Sequence, residues 1–143
     1  MKVKIKKLHQ NAVIPTFAYT GDACMDLYAV ESVFFKPGDI RFIRSGLAFG
    51  IPDGYYIEVR PRSGLSKNSQ LIILNSPATI DFGYRGEVVV FMKSLNSDRS
   101  VVIKEGDRFA QILLKKKIEF EFEEVDELSE TERGSGGFGS SGK

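Results

Sequence analysis

Residues 60–70 read RPRSGLSKNSQ and gather Arg60, Arg62, Ser63 and Gly64 into one short polar stretch. Guanidinium forks, a hydroxyl and exposed backbone N–H groups are donors that suit phosphate oxygens, and a following helix start adds its dipole. A surface turn carrying unrelated arginines accounts for the same letters, so anion binding and an inert turn both stay open here. A second stretch, LNSPATIDFGYRGEVVV at 74–90, sets Asp81 three residues before Tyr84. A carboxylate in a loop between apolar strands can activate a water or hold a metal, and a nearby aromatic offers a flat surface to a sugar or base. The competing reading is a turn aspartate with Tyr84 packed into the core.

The third stretch is RGSGGFGSSGK at 133–143, where glycine and serine dominate but Arg133 and Phe138 intrude. A linker or a tail without function fits the composition. The spacing at 137–143 also matches G-x-x-x-x-G-K, the phosphate cradle of a P-loop. That cradle requires Ser or Thr after the lysine and a helix opening at the loop, and the sequence supplies neither after Lys143. What remains is a capability: exposed N–H groups, the hydroxyls of Ser140 and Ser141, the charge of Arg133, and a ring at Phe138 that can stack.

Other chemistries have few residues to work with. His9 is the single histidine and Cys24 the single cysteine. A structural zinc site, a Cys–His catalytic pair and an intrachain disulfide are therefore not expected. Any metal would take oxygen ligands, which points to Mg²⁺ carried by a nucleotide. Twenty basic residues against 19 acidic ones leave a formal charge of +1, with no electrostatic call for nucleic acid or an anionic membrane. The opening MKVKIKKLHQ has no apolar segment of the kind a leader needs, and no run approaches a membrane span. A soluble, cytoplasmic protein in a reducing compartment is expected.

The elements that must position these groups read as strands. KVKIKKL alternates, with Lys2, Lys4 and Lys6 on the face opposite Val3 and Ile5. FFKPGDIRFI, LAFGIPDGYYIEVR, QLIIL, EVVVFM and SVVIK are β-rich runs punctuated by PGD, PDG, NSD and EGD turns, and a long run follows from Arg108 to Val125. Lys115–Lys117 reads as a solvated strand edge. Only SGLSKN offers a helical turn or two. The expectation is an all-β sandwich or jelly roll over 1–125, followed by an acidic, then glycine-rich arm over 126–143.

Five stretches together resemble the five ordered motifs of the trimeric dUTP pyrophosphatases (dUTPases). They are DACMDLYA at 22–29, PRSGLS at 61–66, NSPATIDFGYRGE at 75–87, GDRFAQILL at 106–114 and RGSGGFGSSG at 133–142. The resemblance implies a jelly-roll homotrimer with shared active sites that cleaves dUTP between the α and β phosphates with Mg²⁺. The products are dUMP and diphosphate, which keeps uracil out of DNA and supplies thymidylate synthesis. It also implies the residue roles. Asp81 would orient and deprotonate the attacking water and meet the 3′-hydroxyl, while Tyr84 would stack on the deoxyribose. Asn75 and the backbone near Thr79, Ile80 and Val89 would read uracil. Arg62, Ser63 and Gly64 would hold phosphates, and Asp26 and Gln111 would order waters around Mg²⁺ and the α-phosphate. Arg133, Gly139, Ser140 and Ser141 would meet the γ-phosphate end, with Phe138 over the base. Asp107 and Arg108 would form a structural ion pair near the subunit contact.

Four residues depart from the usual motifs: Cys24-Met25 replaces Gly-aromatic, Ala78 stands where Gly is common, and Ser141 replaces Thr. Two other readings stand beside this one. One is a dCTP deaminase, or a bifunctional deaminase–pyrophosphatase, of the same fold. The other is a non-catalytic β-sandwich interaction module.

Overall fold

The computed structural model describes residues 1–137. Among these residues, eleven strands and one short helix follow one another. The largest sheet has the order β2 (Met25–Tyr28), β11 (Arg108–Lys116), β6 (Tyr55–Arg60) and β8 (Ala78–Ile80), all antiparallel. A second sheet pairs β4 (Ile40–Arg44), β9 (Val89–Ser94) and β7 (Leu71–Ile73). Two antiparallel two-stranded sheets, each joining strands distant in the chain, complete a jelly roll: β1 (Lys4–Lys7) with β5 (Leu47–Gly50), and β3 (Val33–Phe35) with β10 (Val101–Ile103). Among the described residues no helix is long and apolar enough to cross a membrane.

Period-two alternation explains the layers. In β9, Val90, Met92 and Ser94 point inward while Phe91 stays exposed. Phe35, Phe109, Leu27, Ile43, Leu47, Leu71 and Ile103 fill the interior and are essentially inaccessible. The PGD and PDG turns form as the letters suggest, with Gly38 and Gly54 each at φ +76°, where only glycine is unstrained. Asp39 closes the first of them: its carboxylate accepts the Lys36 N–H at 3.0 Å and Arg41 Nη2 at 2.9 Å. The Lys36 hydrogen bond, with Arg41 behind it, holds that carboxyl below its usual range.

Two segments depart from the sequence expectation. The run from Arg108 to Val125 does not stay a strand, because β11 stops at Lys116. The reason is its partner: Lys116 pairs with Tyr55, the first residue of β6, and Lys117 N–H then closes on Gly54 O in the turn. Ile118, Phe120 and Phe122 continue the alternation without a strand partner among the described residues and stand exposed. Conversely, residues 78–80 belong to a strand rather than a loop, because Ala78 and Ile80 pack against the core on the free edge of β6.

Candidate active site

The β2–β11–β6 ladder draws three of the singled-out stretches together. Asp26 of β2 lies opposite Gln111 of β11, which in turn lies opposite Arg60 at the end of β6. The chain then passes through Pro61 and Arg62 into the helix α1 (Ser63–Ser69), which ends at Gln70 in the left-handed conformation. Register shifts between Arg108 and Ala110, a bulge that turns the Arg108 side chain toward Asp26.

The resulting cavity has a volume of about 510 Å³, and Asp26, Arg62, Ser63, Gly64, Arg108 and Gln111 line it. Asp26 sits between two guanidiniums: Arg62 Nε donates to Oδ1 at 2.7 Å and Arg108 Nη1 to Oδ2 at 3.3 Å. Arg62 Nη1 also donates to Arg108 O at 3.0 Å, and Gln111 Nε2 to Pro61 O at 2.8 Å. These bonds fix the Arg62 fork and the Gln111 amide before any ligand arrives. The Ser63 hydroxyl and the Gly64 backbone face open space beside them. Asp22 is the other charged lining residue, so two arginines and two aspartates leave the wall formally neutral.

Within one chain Asp107 and Arg108 form no ion pair. Asp107 Oδ2 accepts the Lys104 N–H at 2.8 Å and closes the EGD turn, which frees Arg108 for Asp26. Arg108 is thus a lining residue of the cavity.

The residues around Asp81 line a different cavity, of about 270 Å³, with Thr79, Ile80, Tyr84, Glu87, Val89 and Phe91. It lies against β8, the last strand of its sheet, whose outer edge therefore has unpaired backbone groups. Val89 opens β9 on the opposing side, beyond the reach of β7, whose pairing with β9 runs only from Met92 to Ser94. Donors and acceptors on facing strand edges are a natural slot for a flat, hydrogen-bonding ring. Asp81 is exposed, and Tyr84 is 46% exposed, which rules out the core-packed alternative for that tyrosine. The Tyr84 hydroxyl donates to Glu87 O at 2.9 Å. Thr79 and Asp81 also line a further cavity of about 370 Å³ that contains Tyr56 and Glu58. There the Arg60 guanidinium, hydrogen-bonded to Glu58, holds the Glu58 carboxyl below the usual carboxylate range.

Two expected participants stand apart from these cavities: Asn75, exposed just after β7, and Arg133, whose Nε donates to Gly136 O at 2.9 Å. Phe138, Gly139, Ser140 and Ser141 lie outside the described residues. The set Asp26, Arg62, Ser63, Gly64, Gln111 thus forms one cavity and the set Thr79, Ile80, Asp81, Tyr84, Val89 another, and neither wall contains a residue of the other set. Glu87, a lining residue that motif reading passed over, was legible only as the letter after Arg85-Gly86.

Comparison with known proteins gives this geometry its context. A family model described as dUTPase matches residues 10–142. The deoxyuridine 5′-triphosphate nucleotidohydrolase of Nautilia profundicola is 47% identical over 143 residues, covering 100% of both chains. The dUTPase of Staphylococcus bacteriophage 80alpha with dUPNHPP superposes with a TM-score of 0.92 at 29% identity, covering 99% of each chain. A dUTPase variant from phage phi11 of S. aureus, described for its coordination of a structural Mg(II) ion, superposes at 0.82 with 25% identity, covering 91% of this chain and 100% of that one. Through a family model spanning nearly all of it and a relative matched from end to end, the chain belongs to the dUTPase family.

Proposed function

We propose that the two cavities act on one dUTP molecule, each supplied by a different copy of the chain in a homotrimer. The chain is a dUTP diphosphatase and hydrolyses dUTP to dUMP and diphosphate. The observation that carries the shared-site reading is the split itself: the phosphate-type donors and the base-and-water set line separate cavities of one chain. The exposed apolar surface supports the same reading. Phe42 and Phe91 stack edge to face on the outside of the β4–β9–β7 sheet, continuous with Ile40, and the unpaired Ile118–Phe120–Phe122 alternation adds to it. Apolar area of this kind marks an interface.

In this reading uracil enters between the edge of β8 and Val89, where backbone groups of Thr79, Ile80 and Val89 pair with its polar edge. A base with the wrong donor pattern would leave those groups unpaired, which is why such slots discriminate strongly. The exposed face of Tyr84 stacks on the deoxyribose and leaves no room for a 2′-hydroxyl. Asp81 meets the 3′-hydroxyl and takes a proton from the water that attacks the α-phosphorus. The bond from that phosphorus to the bridging oxygen breaks, and diphosphate leaves. Arg62, Ser63 and the Gly64 N–H hold the phosphates, and Gln111 orders water at the α-phosphate.

A Mg²⁺ ion fits the oxygen-rich cavity. Among the described residues no group of three or more His, Cys, Asp or Glu side chains forms a metal cage. The ion would therefore be held mainly by the triphosphate, with Asp26 reaching its waters through the lone pairs that the two arginines leave free. When bound, it neutralises charge that the formally neutral wall cannot.

Diphosphate release measured in parallel on dUTP, UTP, dCTP and dTTP tests the activity. Release from dUTP alone is expected, whereas ammonia from dCTP would mark a deaminase and no release at all a binding module. Sharing is tested by mixing inactive Asp81→Asn and Arg62→Ala chains through unfolding and refolding. Random trimers should recover about a quarter of the wild-type rate, since each site draws the two residues from independent chains. No recovery would place both sets in one chain's site.

A further inference from the structure

The turn that carries Asp81 and Tyr84 is held almost entirely by itself. Residues 81–85 are all exposed. Tyr84 N–H donates to Asp81 O at 3.0 Å, and Arg85 Nη1 donates to the carbonyls of Phe82 and Tyr84. The tyrosine ring lies across Gly86 so closely that an added Cβ there would come within 2.6 Å of Cζ. Every one of these contacts is internal to the turn. They define its shape but not its place on the barrel.

The pairing of Ile80 with Ile57 holds its first end, and the end that carries Tyr84 is set by Glu87, one residue beyond the turn. The Glu87 side chain turns inward, 17% exposed, and its two oxygens are both engaged. Oε1 accepts the Gly46 N–H at 2.8 Å, and Arg44 Nε spans Oε1 and Oε2 at 3.2 and 3.1 Å, with Nη2 to Oε2 at 3.0 Å. The pairing raises the Arg44 guanidinium above its ordinary value. Gly46 gives no slack in return: it is buried at φ +66°, and a Cβ there would meet His9, Ala12 and Val30 within 2.9 Å. The carbonyl of Glu87 accepts the Tyr84 hydroxyl, so one residue grips the tyrosine with its backbone and the barrel with its carboxylate.

We propose that Glu87, locked by Arg44 and the Gly46 N–H, is the positioning residue that sets how closely the Tyr84 ring approaches the sugar, and so sets the rejection of ribose. The inference rests on the reading of Tyr84 as the sugar platform. A partly buried, doubly satisfied carboxylate has enough directional contacts to hold a ring in place. Its removal leaves the Gly46 N–H without its acceptor and the turn free to swing.

The test compares Glu87→Ala, Glu87→Gln and Gly86→Ala with wild type for kcat and KM on dUTP and on UTP, alongside thermal melting. Glu87→Ala should lower kcat/KM on dUTP by about 10- to 100-fold, the scale of an ångström-sized misplacement, and narrow the dUTP-over-UTP ratio by about tenfold. Glu87→Gln keeps an acceptor for Gly46 and should recover much of the ratio. Gly86→Ala leaves the Arg44 pair intact but displaces the ring, so it should narrow the ratio even if Glu87→Ala fails to fold. Ratios unchanged in the folded variants, whatever their melting temperatures, would overturn the positioning role. A wild type inert toward dUTP would instead overturn the functional reading beneath it.

Discussion

Asp81→Asn is expected to lower kcat on dUTP by about 10²–10⁴-fold, the range that a positioned general base contributes. Affinity for dUTP should stay close to wild type. The physical case rests on what the substitution changes. Asparagine has the same shape and keeps an acceptor for the sugar hydroxyl, but it cannot take a proton. Asp81 is exposed at the end of β8, where its replacement disturbs no core packing. It has neither a salt-bridge partner nor a side-chain hydrogen bond among those described, so no native ion pair is broken. Diphosphate release under saturating dUTP reads the chemical step, and calorimetric titration of the variant reads binding. Turnover near wild type would remove Asp81 from the base role. A loss of binding equal to the loss of turnover would make it a substrate anchor instead.

The parts of this site that could be read in the sequence are those whose geometry is local. Turns at Gly38 and Gly54, the alternation of β9 and the helix at Ser63–Ser69 each follow from a few adjacent letters. So do the motif residues themselves, since five ordered stretches carry their identities. What the letters could not supply is partnership. The alternation of Ile118, Phe120 and Phe122 is as strand-like as that of β11, yet it ends unpaired because β6 begins at Tyr55. Arg108 looked bound to its neighbour Asp107, but a bulge and a cross-strand register sent it to Asp26, 82 positions away in the chain. Glu87 was invisible for the same reason, because its partners Arg44 and Gly46 lie 43 and 41 positions away, at the end of β4 and just beyond it, where only cross-strand pairing brings them alongside. Long-range pairing is the quantity that propensity and spacing do not contain.

Charge around the phosphates leads to the other large effect, expected on removal of residues 133–143. The cavity proposed to hold the phosphates has two arginines and two aspartates in its wall, so even with one Mg²⁺ it would not balance the charge of a triphosphate. An additional cation must come from elsewhere, and Arg133 is the basic residue that the fifth motif contributes. In the described part of the segment, the hydrogen bonds of Arg133, Gly134 and Gly136 close on one another or on Thr131, and none reaches the barrel. Deleting the segment should therefore leave the melting temperature almost unchanged while lowering kcat/KM on dUTP by about 100-fold or more, the scale of losing a donor to developing phosphate charge. Arg133→Ala alone separates charge from coverage. If the single substitution accounts for the whole loss, charge neutralisation is the role. If it accounts for a small part, the remainder belongs to closure over the base and exclusion of water. A truncated protein with full activity would remove the segment from catalysis altogether.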